Sequence, residues 1–219
     1  MRDKIKTPEY FESFLNNNRI FIDRLEHSPV KNSPVIQKGL TNGYWQRCLA
    51  MYSAGYEIEA VVQEYKKGMH CFYNADKKMV GLSELVEYLS FAKIIDNAET
   101  IEKINYFCKK NDFSDAFLSY ISGTCSIKEC ALSKIESIRY FAKNNLYSDC
   151  NSTLLFLDKT WYDLHDEDGW YDSHLSKNPV YYGYWTFEIA AILKNEGRCY
   201  SELRACQFFP SDLFDEFHY

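Results

Sequence analysis

Apolar side chains recur at helical spacing along most of this chain, and that pattern limits the fold more than any other feature. Tyr10, Phe11, Phe14, Leu15, Phe21, Ile22 and Leu25 line one side of a first helix. Thr7-Pro8-Glu9 supplies its start: a capping hydroxyl, proline at the first helical position and an acid in the first turn. Trp45, Leu49, Tyr52, Tyr56 and Val62 predict a second long helix over about 44–66. Leu82, Leu85, Val86, Leu89 and Ile94 predict a third. Further helices are expected near 99–109, 114–121, 131–142, 154–164 and 181–194. Strict alternation and two-residue hairpin turns are scarce. The expected fold is therefore all-α, a compact multi-helix array of antiparallel helices with little or no sheet.

Breaks in the pattern give the organisation. Pro29, Pro34 and Gly39 mark a connector over 27–42, and 67–81 reads as a polar loop. Ser122-Gly123-Thr124 is the best boundary, dividing an N-terminal helical half (1–122) from a C-terminal half (123–219). With 46% hydrophobic and 17% aromatic residues, the 219-residue chain can fill a sizeable core.

Charge is unevenly spread. Residues 1–144 carry 20 basic and 18 acidic side chains, a balance of +2, whereas 145–219 carry 5 and 13, a balance of −8. A negative surface repels nucleic acid and attracts basic proteins, so direct binding of DNA or RNA is disfavoured. No apolar run is long enough to span a membrane, and the start, Met1-Arg2-Asp3-Lys4, does not read as a signal segment. The expected compartment is the cytoplasm. The eight cysteines (48, 71, 108, 125, 130, 150, 199 and 206) form no CxxC pair, and they read as free thiols rather than zinc ligands.

The common phosphate-loop, hydrolase and zinc-protease motifs are absent. The densest polar constellation is Asp163, His165, Asp166, Glu167, Asp168, Asp172 and His174. Carboxylates and imidazoles suit a divalent metal, and a hydrolase built on His165, Asp166 and His174 is the rival reading. Four acids within six residues more often form a solvated loop or a surface that meets a partner. Asp163, Asp166, Glu167, Asp168 and Asp172 are therefore the candidate partner-binding residues. Glu188 falls on the expected 181–194 helix, sharing a face with positions 181, 184 and 185. A buried acid there needs hydrogen-bond donors, and the tyrosine hydroxyls are the expected ones.

The segment LDKTWYDLHDEDGWYDSHLSKNPVYYGYWTFEIAA, residues 157–191, resembles the C-terminal domain of the PoNi immunity family. Phe208-Phe209-Pro210-Ser211-Asp212-Leu213 is similar to that family's terminal motif. Arg2-Asp3 through Tyr10-Phe11, and Trp45 through Gly55, resemble its paired N-terminal domain. The resemblance implies an all-helical protein that binds and neutralises a PoNe-type DNase toxin passed between bacteria. The missing nucleophile–base pairing and the lack of a compact ligand motif predict no enzymatic activity, cofactor or metal, and oligomeric state stays open. A structural helical adaptor with no toxin partner is the other alternative. Within GYWTFE, Gly183, Tyr184, Trp185 and Glu188 are expected to be scaffold, with Gly183 permitting close approach and Tyr184 and Trp185 filling the core. Family members often carry an acidic Asp-Asp stretch where this chain has Asn195-Glu196-Gly197-Arg198-Cys199-Tyr200-Ser201.

Overall fold

The computed structural model describes residues 1–198 and 201–217. Ten α-helices and six short 3-10 segments account for its regular structure, and no strand occurs among the described residues. The expected all-α class is correct. The chain forms two compact units, Met1–Val80 with Gly169–Tyr184, and Gly81–Asp168 with Trp185–Tyr219. Ser122-Gly123-Thr124 lies inside the second.

The first unit is built on long, well-capped helices. α1 (Pro8–Glu26) starts as its sequence dictates: the Thr7 hydroxyl accepts from the Tyr10 N–H, and Pro8 opens the first turn. α2 (Pro34–Ala54) begins earlier than expected, because Ser33 caps it and Pro34 is its first residue. The connector is thus 27–33 rather than 27–42. A single 44–66 helix is also corrected. α2 stops where Gly55 adopts φ 90°, and α3 (Ile58–Phe72) follows. The Tyr56 N–H returns to the Met51 carbonyl and the Gly55 N–H to that of Tyr52, which satisfies the helix end. A Cβ on Gly55 would meet the Met1 backbone nitrogen at 2.9 Å, so space and φ both require glycine.

Phe11, Tyr52, Tyr65 and Phe72 are fully buried here. Asn18 donates to the Gly43 carbonyl and ties α1 to α2. Glu64 receives both Arg47, at 3.3 Å, and Lys67, at 2.7 Å.

The second unit is cut into shorter pieces around two helices buried along most of their length. α4 (Leu82–Ile94) buries Leu85, Val86, Tyr88, Leu89, Phe91 and Ile94. α9 (Phe187–Asn195) buries every residue from Phe187 to Leu193, and the Phe91 and Phe187 rings meet edge-on at 5.3 Å. α5 (Ala98–Lys110), α6 (Ala116–Ile121), α7 (Glu136–Lys143), α8 (Cys150–Lys159) and α10 (Ser211–Glu216) complete the set, with 3-10 turns in the links. Asp115 caps α6 through the Phe117 N–H. Its carboxylate also receives the Ser133 hydroxyl and the Lys134 N–H. Lys194 donates to the Ile94 carbonyl, the Asp96 carboxylate and the Phe217 carbonyl, which pins the ends of α4 and α10 to α9.

The seven described cysteines are free thiols, and Cys199 lies outside the described residues. Burial pushes the Cys130 thiol up to about 12 and that of Cys206 to about 11.

Candidate functional site

The residues that carry the sequence signal divide between the two units. In the second unit, Trp161 follows the end of α8 and is 2% exposed. Its indole Nε1–H donates to Glu188 Oε1 at 2.6 Å. The Ser137 and Thr186 hydroxyls point to the same oxygen at 3.3 and 3.4 Å. Glu188 is buried in the first turn of α9, where the helix dipole also favours a carboxylate. The expected tyrosine donors are corrected: an indole and two hydroxyls hold this acid.

His165 stands beside the same group. Its ring lies 5.0 Å from that of Trp161, and Nε2 is 3.9 Å from Glu188 Oε1. On its other side, Nδ1 is 2.5 Å from Asp168 Oδ2. An ionised carboxylate only accepts, so the Nδ1–H tautomer is the one this contact assigns. Asp163 opens a 3-10 turn over Asp163–His165, and Asp163, Asp166 and Glu167 are exposed while Asp168 is half-buried.

The terminal motif reaches this unit's core. The Thr186 N–H donates to the Phe208 carbonyl, the Phe208 ring packs on Trp161, and it stacks on Tyr162 at 10°. Phe209, Leu213 and Phe214 are buried.

In the first unit, the arm 169–184 is fastened by tyrosines. The Tyr181 hydroxyl donates to the Asp3 carboxylate, which also accepts the Ile5 and Lys6 N–H groups. Tyr10 Oη donates to the Tyr181 carbonyl and accepts its N–H. Ser53 donates to the Tyr182 carbonyl. Burial, then the neighbouring Asp3 charge, holds the Tyr181 hydroxyl far above the usual phenol range. Tyr184 Oη lies 2.9 Å from His174 Nδ1 and accepts the His174 backbone N–H.

Gly183 has φ 118°, a region L side chains rarely adopt, so its backbone is the reason for glycine. Residues 181–186 are non-helical, which corrects the expected 181–194 helix; α9 begins at Phe187. Tyr184 is buried as expected, whereas Trp185 is only half-buried and precedes the helix. Asp172, exposed and at φ 54°, belongs to the first unit, while Asp163, Asp166, Glu167 and Asp168 belong to the second.

Sequence reasoning named Asp3 only within the family resemblance and not as a buried acid, because its partner lies 178 positions away. The Trp161 and Ser137 donors to Glu188 carried no local signal either, since they lie 27 and 51 residues from it.

Among the described residues, no three His, Cys, Asp or Glu side chains are disposed to hold a metal ion. None of their helices is long and apolar enough to cross a membrane. The molecule is thus an all-helical protein whose densest acidic segment lies beside a buried hydrogen-bonded scaffold. Residues 112–213 match the family model described as PoNe immunity proteins (PoNi), C-terminal, and over this span the chain is similar to that family. No curated protein and no solved structure matches the chain.

Proposed function

We propose that the chain is an immunity protein that binds a PoNe-type nuclease toxin and neutralises it, with no catalysis of its own. The family match over 112–213 carries this reading. Physical chemistry supports it. A nuclease cleft must be basic to hold phosphates, and a folded acidic surface both hastens encounter and competes with DNA. The second unit has 12 basic and 21 acidic side chains, a balance of −9.

Asp163, Asp166 and Glu167 are exposed acids of the segment that carries His165, and none of the three makes a side-chain hydrogen bond or ion pair among the described residues. They are free to meet cations on a partner. Asp168 belongs to the same proposed surface, with its charge partly engaged by His165, and Asp172 is a further candidate carried by the first unit. The residues of GYWTFE serve as scaffold behind it. In this reading the protein acts in the cytoplasm of a bacterium exposed to toxins from its neighbours. Residues 1–122 play the part of the family's paired N-terminal domain.

The test is co-expression with an active PoNe-type toxin encoded beside the gene. Protected growth and a stoichiometric complex on gel filtration are expected. Unprotected cells together with no complex would remove the proposal.

A further inference from the structure

We propose that His165 is a positioning residue for the acidic segment 163–168, clasping Asp168 back toward the α9 scaffold so that Asp166 and Glu167 are presented outward. This rests on the reading of that segment as part of the toxin-facing surface.

The geometry supplies the argument. A segment that carries Asp163, Asp166, Glu167 and Asp168 repels itself, and repulsion favours a spread of conformations over one. Holding a partner requires the opposite, because each side chain ordered on binding costs affinity. Here the imidazole supplies the restraint. Its Nδ1 lies 2.5 Å from Asp168 Oδ2, and the histidine side chain is only 11% exposed.

The ring is itself held. It packs 5.0 Å from the Trp161 ring. Trp161 Nε1 in turn donates to Glu188, which the Ser137 and Thr186 hydroxyls also hold from other parts of the second unit. A continuous chain of contacts therefore runs from the first turn of α9, through His165, to the last acid of the segment. With Asp168 drawn in, the two acids before it lie at the exposed turn, with no side-chain partner of their own among the described residues.

The experiment uses the full chain and two readouts. The first is amide hydrogen exchange over 163–168 in the free protein. His165→Phe keeps a ring against Trp161 but has no nitrogen for Asp168. It should speed exchange there about tenfold or more, with α4 and α9 unchanged. His165→Asn places an amide N–H near the position of Nδ1 and should restore slow exchange. Asp168→Ala, at a half-exposed site, should loosen the segment as His165→Phe does, which covers the case in which the phenylalanine variant does not fold. Unchanged exchange in Asp168→Ala, or loosening in His165→Asn equal to that in His165→Phe, overturns the clasp.

The second readout is affinity for a catalytically inactive PoNe-type nuclease domain. His165→Phe should weaken it by about three- to tenfold, and His165→Asn should recover it. If Asp166→Lys/Glu167→Lys slows association but His165→Phe binds like the parent, the toxin reading stands and the positioning role falls. If neither variant alters binding of a nuclease that the parent holds, the surface assignment falls, and with it any role of the clasp in recognition.

Discussion

The two units solve the same problem, burying apolar surface with helices, in opposite ways. The first uses three long helices of 19, 21 and 15 residues and carries 13 basic and 10 acidic side chains, a balance of +3. The second, at −9, breaks into shorter helices and 3-10 turns, and it places single polar side chains where regular hydrogen bonding stops. Long helices satisfy their own backbones, so polar anchors in their unit tie helix to helix, as Asn18 does, or hold chain outside the helices, as Asp3 does. Frequent helix ends leave unpaired groups that side chains must satisfy. Asp115 and Lys194 meet that need, and each is a point at which a single substitution should be felt.

Each unit also holds one buried carboxylate at the segment that carries the family resemblance, and the pair makes the comparison quantitative. Glu188 depends wholly on side-chain donors, with Trp161 the closest at 2.6 Å. Asp3 has two backbone N–H groups besides the Tyr181 hydroxyl. Loss of one donor should therefore cost more in the second unit. Trp161→Phe removes the indole N–H and leaves a smaller ring, and about 3 kcal/mol is expected from the under-satisfied charge and lost packing. Thermal or urea unfolding followed by circular dichroism checks this. A loss below that of the tyrosine variant described next would reverse the ranking.

Tyr181→Phe should cost about 1–2 kcal/mol, because the backbone donors to Asp3 remain. It also has a pH signature. The Tyr181 hydroxyl is held above its unfolded value in the folded chain, so its contribution is complete below about pH 10. Above that, the unfolded chain loses this proton while the folded chain keeps it. Stability then falls, by up to about 1.4 kcal/mol per pH unit for this group. The parent should lose more stability than Tyr181→Phe between pH 9 and 11. Parallel losses would place the alkaline response elsewhere.

How much of this was visible in the sequence follows from how local each cause is. α1 was legible because Thr7, Pro8 and an apolar stripe all lie within its own residues. The α2–α3 break was not, since glycine is tolerated in helices and the apolar spacing continues past it. Ser33-Pro34 was a helix start that resembled a loop. The aromatic run 181–186 has helix-compatible spacing, yet Gly183 sits at φ 118° and the Thr186 N–H goes to the Phe208 carbonyl, 22 positions on. The acids at 163–168 were conspicuous as residues, whereas the clasp behind them joins side chains that only the fold brings together.

Gly55 tests the long-helix unit at its most local point. Gly55→Ala keeps polarity and almost all volume but forces an L side chain to φ 90°, with its Cβ against Met1. A cost of about 1 kcal/mol is expected from the left-handed backbone, slightly more if the terminus cannot shift. If the variant melts at the parent's temperature, the end of α2 is not held as described, and a continuous α2–α3 helix becomes the better account.

The smallest effect on stability should accompany the clearest effect on binding. Asp166 and Glu167 are exposed, so Asp166→Lys/Glu167→Lys changes surface charge while leaving the core alone, and melting should shift by less than about 0.5 kcal/mol. The variant moves the second unit from −9 toward −5. Steering by charge acts on the association rate and fades as salt screens it, with a screening length near 10 Å at 0.1 M. Association with an inactive PoNe-type nuclease domain should therefore slow about tenfold at low salt and converge on the parent at high salt. The control lies in the other unit, where Lys77 and Lys78 are exposed on a short 3-10 turn. Lys77→Glu/Lys78→Glu changes net charge by the same amount in the opposite sense. If overall charge alone governs encounter, this variant should speed association as much as the first slows it. If the 163–168 surface does the steering, its effect should be much smaller. Equal and opposite effects would mean that the division of charge between the units is incidental to recognition.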